Sequence, residues 1–201
     1  VVGFDVNKNA MKGLEEAGGT VKNSVKSAVE NCIAVIVLVV NDKQVEDVLF
    51  GIDGAVEGLS SGAVVIQSST IPVAYAKECG NRLLDQGFEM IDAPVSGGAA
   101  GARSANLSIM ASGPDSAFEK VADIMDAISG KIYRLGSEYG IGSTVKTVNQ
   151  LLAGVHIAAA AEAMAFGVRA GANPRELYDV ISGSAGSSWM WQNRVPHILD
   201  D

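Results

Sequence analysis

IAVIVLVV, residues 33–40, is a run of eight apolar residues, four of them Val and two Ile. β-branched side chains pack well on a pleated surface. A run that does not alternate with polar residues is what a parallel strand presents when helices cover both of its faces. On one side of it NSVKSAVENC (23–32) reads as a helix, and on the other DKQVEDVLF (42–50) reads as another. Strand between helices is the unit of an α/β fold.

The same rhythm extends in both directions. VVGFDV (1–6) reads as a strand and NKNAMKGLEEAGG (7–19) as a helix closed by glycine. AVVIQ (63–67) is a second buried strand, and PVAYAKECGNRLLDQG (72–87) places Pro at its first helical position. FEMIDAPV (88–95) and ANLSIMA (105–111) follow as strands, then a helix over 114–130 with apolar residues at 118, 121, 124, 125 and 128, then the strand KIYRL (131–135). This alternation predicts a doubly wound α/β layer. Beyond it the pattern is helical only: one long stretch over 141–171, then NPRELYDVIS (173–182) and a Ser/Gly turn. The expected division is an α/β domain over 1–138 and the start of an all-helical domain over 139–201, joined by a long interdomain helix.

Composition limits the function. The 201 residues are 48% hydrophobic and 19% charged, which suits a soluble globular chain. A net charge of −8 opposes nucleic acid as a partner, because phosphate binding wants a basic face. Cys32 and Cys79 stand far apart in no ligand spacing, so reduced, packed thiols are expected. The two histidines have no carboxylate at ligand spacing, and no metal site is expected. The longest apolar run, LLAGVHIAAAAEAMAFGVRA (151–170), contains His156, Glu162 and Arg169. It is therefore expected to be a buried helix and not a membrane span. No signal or transit peptide is read, and a cytoplasmic protein is expected.

In a doubly wound sheet, ligands bind beyond the carboxyl ends of the strands. Asp5 follows the first strand. An acid there suits either a helix cap or the ribose hydroxyls of an adenosine, where it would repel a 2′-phosphate. Ser68, Ser69 and Thr70 lie between a buried strand and a helix start, where they serve equally as caps or as ligands to a ribose or carboxylate. Ser96, Gly97 and Gly98, with Gly101 beyond, suit an anion nest of backbone N–H groups. Lys146, Asn149 and Gln150 share one stripe of the long helical stretch, which is otherwise small and apolar. That stripe fits either a polar ligand or a lysine reaching out from a helix end. GIGSTV (140–145) imitates a dinucleotide fingerprint, but it lacks the third glycine and Glu162 falls inside the same helix, so it is not expected to hold a cofactor.

Together, DAPVSGG (92–98), GIGSTVKTVNQ (140–150) and the Ser-Ser-Thr after AVVIQ resemble the β-hydroxyacid dehydrogenase family. That family includes 3-hydroxyisobutyrate dehydrogenase, tartronate semialdehyde reductase and 6-phosphogluconate dehydrogenase. Residues 145–171 and 184–200 are most similar to its L-threonate dehydrogenase branch. The resemblance implies a partial Rossmann-type sheet and oxidation of a short hydroxy acid, of L-threonate or 3-hydroxyisobutyrate type, by NAD in preference to NADP. It implies Lys146 as general acid/base, Ser96, Gly97 and Gly98 at the substrate carboxylate, and Asn149 with Gln150 at the substrate hydroxyl. Thr70 would meet the nicotinamide ribose, Asp5 the adenosine ribose, and Val39, Val40 and Asn41 would line the cofactor. A homo-oligomer is implied for the intact protein.

Two parts of the family pattern are not in this sequence: a first strand with its GxGxxG loop ahead of Val1, and the remainder of the helical domain. The chain is accordingly expected to be a truncated form of such a dehydrogenase. Two other readings stand beside it, a glyoxylate or semialdehyde reductase of the same family and a truncated, non-catalytic binding module. Phosphogluconate chemistry would need a basic cluster near Lys146, and none is present.

Overall fold

A computed structural model describes residues 1–200. Its elements run β1 (Val2–Gly3), α1 (Lys8–Glu16), β2 (Thr20–Val21), α2 (Val25–Val29), β3 (Ala34–Val37), α3 (Asp42–Phe50), α4 (Ala55–Gly58), β4 (Val64–Gln67) and α5 (Val73–Asp85). They continue with β5 (Glu89–Asp92), β6 (Val95–Ser96), α6 (Gly98–Arg103), β7 (Leu107–Ala111), α7 (Asp115–Ile128), β8 (Ser129–Arg134), α8 (Ile141–Arg169), α9 (Pro174–Ser182) and α10 (Trp189–Leu199). The chain forms two compact units, Val1–Lys146 and Thr147–Asp201, and the division falls inside α8.

In the first unit β3, β4 and β5 form a parallel sheet in that order, with Val35 beside Val65 and Val65 beside Met90. Side chains alternate across a strand, so the two faces feed two cores. Val37, Val65 and Met90 pack with Val45, Leu49, Ala76 and Leu83 of α3 and α5. Val64, Ile66 and Ile91 face the other way, onto Phe118, Val121 and Met125 of α7. Helices on both faces of a parallel sheet make the α/β class that the sequence predicts.

The sheet is less continuous than expected. FEMIDAPV is two strands: β5 closes the parallel sheet, while β6 pairs antiparallel with β7 in a second sheet whose other neighbour is β8. An isolated bridge between Asp92 and Ser112 joins the two. β1 and β2 form a separate parallel pair.

The run 33–40 is also not covered on both faces. β3 is an edge strand of its sheet, and Ile33, Ile36 and Leu38 are exposed. β2, α4, α6 and α10 are not evident from the sequence pattern. The first three are short, and α10, opened by a Ser188 cap on Trp191, contains Pro196.

The largest departure is α8, which the sequence marks as buried. From Leu151 on, its buried residues are Ala160, Met164 and Gly167, and Leu151, Leu152, Val155 and Phe166 are exposed. The second unit supplies only α9 and α10 to pack on it. Its core is Ala160, Met164, Trp191 and Val195, with Leu177 and Tyr178 against them. Two short helices cover one stripe of a 29-residue helix and no more. By length and composition α8 could cross a membrane.

Candidate active site

The site candidates of the first unit follow the carboxyl ends of its strands. Asp5 is exposed just past β1, where its carboxylate accepts from the Asn7 N–H at 2.7 Å. After β3, the Val39 N–H donates to Ser69 Oγ at 2.8 Å and the Val40 N–H to Gln44 Oε1 at 2.9 Å. Asn41 caps α3 by accepting from the Gln44 N–H. The three residues after β4 divide by role. Ser68 and Ser69 are buried, and Ser69 braces the β3 loop, whereas Thr70 alone is exposed. The Ser-Ser part of that motif is thus structural, and Thr70 is the hydroxyl that faces outward.

β6 ends at Ser96, which pairs with Ser108 of β7. Gly97 and Gly98 follow with φ of +128° and +60°. Side-chain-bearing residues adopt this region only at a cost. Both glycines are exposed, as an anion nest requires.

Lys146 lies on the second turn of α8 with 7% of its surface exposed. It makes no ion pair among the described residues. Burial holds its pKa below the ordinary value of 10.5, because desolvation penalises the ammonium form. Asn149 and Gln150 belong to the second unit, one helical turn farther along α8, and the Asn149 amide donates to Gln150 at 3.2 Å.

The turn that precedes Lys146 is anchored from below. Asp92, fully buried at the end of β5, accepts from the Gly140 N–H at 3.0 Å and the Ser143 N–H at 2.8 Å through one oxygen. Its other oxygen accepts from Ser143 Oγ at 2.7 Å. Ser112 Oγ, at the end of β7, accepts from the Gly142 N–H at 3.0 Å. These N–H groups are the orphan donors of a helix start, and protein oxygens occupy them. GIGSTV is therefore an anchored helix start, and its Gly140, Gly142 and Ser143 amides are taken. Burial raises the pKa of Asp92, with the bonds from Ser143 and Gly140 acting against that. Among the described residues, no group of three or more His, Cys, Asp or Glu is placed to hold a metal ion.

Comparison with known proteins shows the family. Residues 1–136 match the family described as the NAD binding domain of 6-phosphogluconate dehydrogenase. Residues 140–201 match the NAD-binding domain of NADP-dependent 3-hydroxyisobutyrate dehydrogenase. The crystal structure of 3-hydroxyisobutyrate dehydrogenase from Salmonella typhimurium superposes with a TM-score of 0.93 at 43% identity, over 99% of this chain and 70% of that one. The chain belongs to the 3-hydroxyisobutyrate dehydrogenase family. Within that family it falls in the branch whose curated members are named L-threonate dehydrogenases. The one from Cupriavidus necator is 52% identical over 97% of this chain, and the one from Escherichia coli K12 49% identical over 98%. The chain spans 66% of the length of each.

The sequence singles out Lys146, Gly97 and Gly98, but not the groups that hold the start of α8. Asp92, Ser112 and Ser143 do not stand out in the sequence as site residues. A signal for Asp92 is present: it closes the otherwise apolar strand stretch MID, and Pro94 follows two residues later. Nothing in the spacing connects Asp92 to a helix 48 residues away.

Proposed function

We propose that the protein to which this chain belongs is an NAD-dependent dehydrogenase of a short hydroxy acid, of L-threonate or 3-hydroxyisobutyrate type, with Lys146 as its general acid/base. The carrying observation is a buried lysine with no ionic partner among the described residues, its pKa lowered by burial. A neutral amine there can accept a hydroxyl proton near neutral pH. Nicotinamide, when bound, supplies the hydride acceptor. As the substrate C–H bond breaks, Lys146 takes the hydroxyl proton, leaving a carbonyl and an ammonium. The nest at Ser96, Gly97 and Gly98 suits the substrate carboxylate, and Asn149 with Gln150 the reacting hydroxyl. Asp5, Thr70 and the loop of Val39, Val40 and Asn41 are the groups that would hold the cofactor. The exposed Asp5 carboxylate, which repels a 2′-phosphate, supports NAD over NADP.

The charges of Lys146, Glu162 and Arg169 along α8 support a water-soluble protein over a membrane-spanning one. Its exposed apolar surface supports an oligomeric intact protein. The two family matches meet near residue 138, which supports an α/β cofactor domain over 1–138 and a helical domain from 139.

The test is steady-state oxidation of L-threonate and 3-hydroxyisobutyrate by the full-length protein, wild type beside Lys146→Ala. A loss of about 10²–10⁴ in kcat with NAD binding intact is expected. Unchanged turnover in Lys146→Ala would remove the lysine from the mechanism.

A further inference from the structure

We infer that Asp92 is a positioning residue for Lys146, acting through the first turn of α8. The inference rests on the function proposed above and extends it to a residue that touches neither substrate nor cofactor.

Asp92 sits where two parts of the site meet. Four residues downstream along its own strand path comes Ser96, the first residue of the nest. Above it, its two carboxylate oxygens take the Gly140 N–H, the Ser143 N–H and the Ser143 hydroxyl. Ser143 precedes Lys146 by three residues, so the two stand about one turn apart on the same side of the helix. The Asp92 main chain is also fixed: it exchanges two hydrogen bonds with Ser112, each 2.9 Å, and Ser112 holds Gly142. One buried carboxylate thus ties the strand end that leads to the nest to the first turn of α8, from which the lysine's turn continues. Three donors converge on it, so it serves as an acceptor, and the ionised form suits the arrangement.

A residue of this kind differs from a general support of the fold in one measurable way. Its effect on catalysis should pass through Lys146 and vanish when that lysine is absent. Double-mutant cycles isolate such coupling. In the full-length protein with NAD and L-threonate, Asp92→Ala is expected to lower kcat about 10²-fold, the loss a misplacement near 1 Å can produce. In the Lys146→Ala background the same change is expected to alter kcat by less than about threefold. Asp92→Asn keeps one oxygen for the two N–H groups and offers an amide donor to Ser143 Oγ. It is expected to retain kcat within about tenfold of wild type, since only the charge of the acceptor is lost.

Equal losses from Asp92→Ala in both backgrounds would overturn the inference, because the residue would then act on the whole protein. A kcat for Asp92→Asn as low as that of Asp92→Ala would also overturn it, placing the effect in the charge. If Asp92→Ala does not fold, Ser143→Ala, which removes the hydroxyl bond to Asp92 and keeps the N–H bond, takes its place in the cycle. A loss confined to the background that keeps Lys146 then supports the inference, and equal losses in both overturn it. Failure of the functional reading is distinct: Lys146→Ala alone would then leave turnover unchanged.

Discussion

Replacing Gly142 with alanine tests how tightly Lys146, the proposed base, is located. A Cβ at residue 142 would stand 2.4 Å from the Met110 carbonyl oxygen and 2.5 Å from that of Asp92. Both are backbone atoms at the ends of β7 and β5, so neither can swing aside as a side-chain tip could. To bring the shorter contact out to 3.0 Å, the helix start must withdraw by roughly 0.6 Å. Overpacking of this kind costs about 1–3 kcal/mol. The withdrawal would stretch the bonds at 2.8 Å and 3.0 Å from Ser143 and Gly142, and Lys146 would travel with its turn. A displacement approaching 1 Å is expected to lower kcat by about 10–10²-fold. The assay follows the absorbance of reduced nicotinamide, with NAD affinity and thermal unfolding measured on the same preparations. Gly154→Ala is the matched control. It lies on the same helix, a Cβ there meets nothing within 4 Å, and the change should add about 1 kcal/mol of stability without altering kcat. Wild-type kcat and melting temperature in Gly142→Ala would refute the reasoning, since the helix start would then have room that the structure denies it.

Two further outcomes follow from charge. Lys146 has a folded-state pKa lowered by burial, so between that value and the ordinary one the unfolded chain binds more protons and wild-type stability rises with pH. Lys146→Met should therefore be more stable than wild type at pH 7, by roughly 0.5–2 kcal/mol, and the gap should close as pH climbs through that window. A gap that widens with pH in denaturant titrations would reverse the sign and the argument. Asp5→Ser should raise the ratio of kcat/KM for NADP over NAD on the order of tenfold or more, because a like-charge contact with the 2′-phosphate is relieved. An unchanged ratio would place the discriminating charge elsewhere.

Much of the fold was readable because it depends on local pattern. AVVIQ gave β4, buried at all four positions of the strand, and the apolar spacing over 118–128 gave α7. What could not be read depends on neighbours. IAVIVLVV has the composition of a central strand, yet Ile33, Ile36 and Leu38 are exposed because β3 has a partner on one side only. α8 has the composition of a core helix, and apolarity does not specify what covers it. At the candidate site, Lys146, Gly97 and Gly98 were legible as residue types in telling places. Asp92 was not, because its role lies in hydrogen bonds to residues 48 and 51 positions away. QSSTIP divides for the same reason, since the burial of Ser68 and Ser69 and the contact between Ser69 and the Val39 N–H set the two serines apart from exposed Thr70.

The burial of one acid and one base beside the first turns of α8 has a further logic. An opposite charge paired with a lysine stabilises the ammonium and raises its pKa. Asp92 is buried and could have served as that partner. Its oxygens are instead occupied by two backbone N–H groups and a hydroxyl, and burial alone sets the direction of the Lys146 shift. The carboxylate fixes where the lysine stands without stabilising its charged form. A base that must be neutral to accept a proton needs that separation, because a salt bridge would secure its position at the expense of its basicity near neutral pH. Position and proton affinity, which a single ion pair would set together, are here set by different groups.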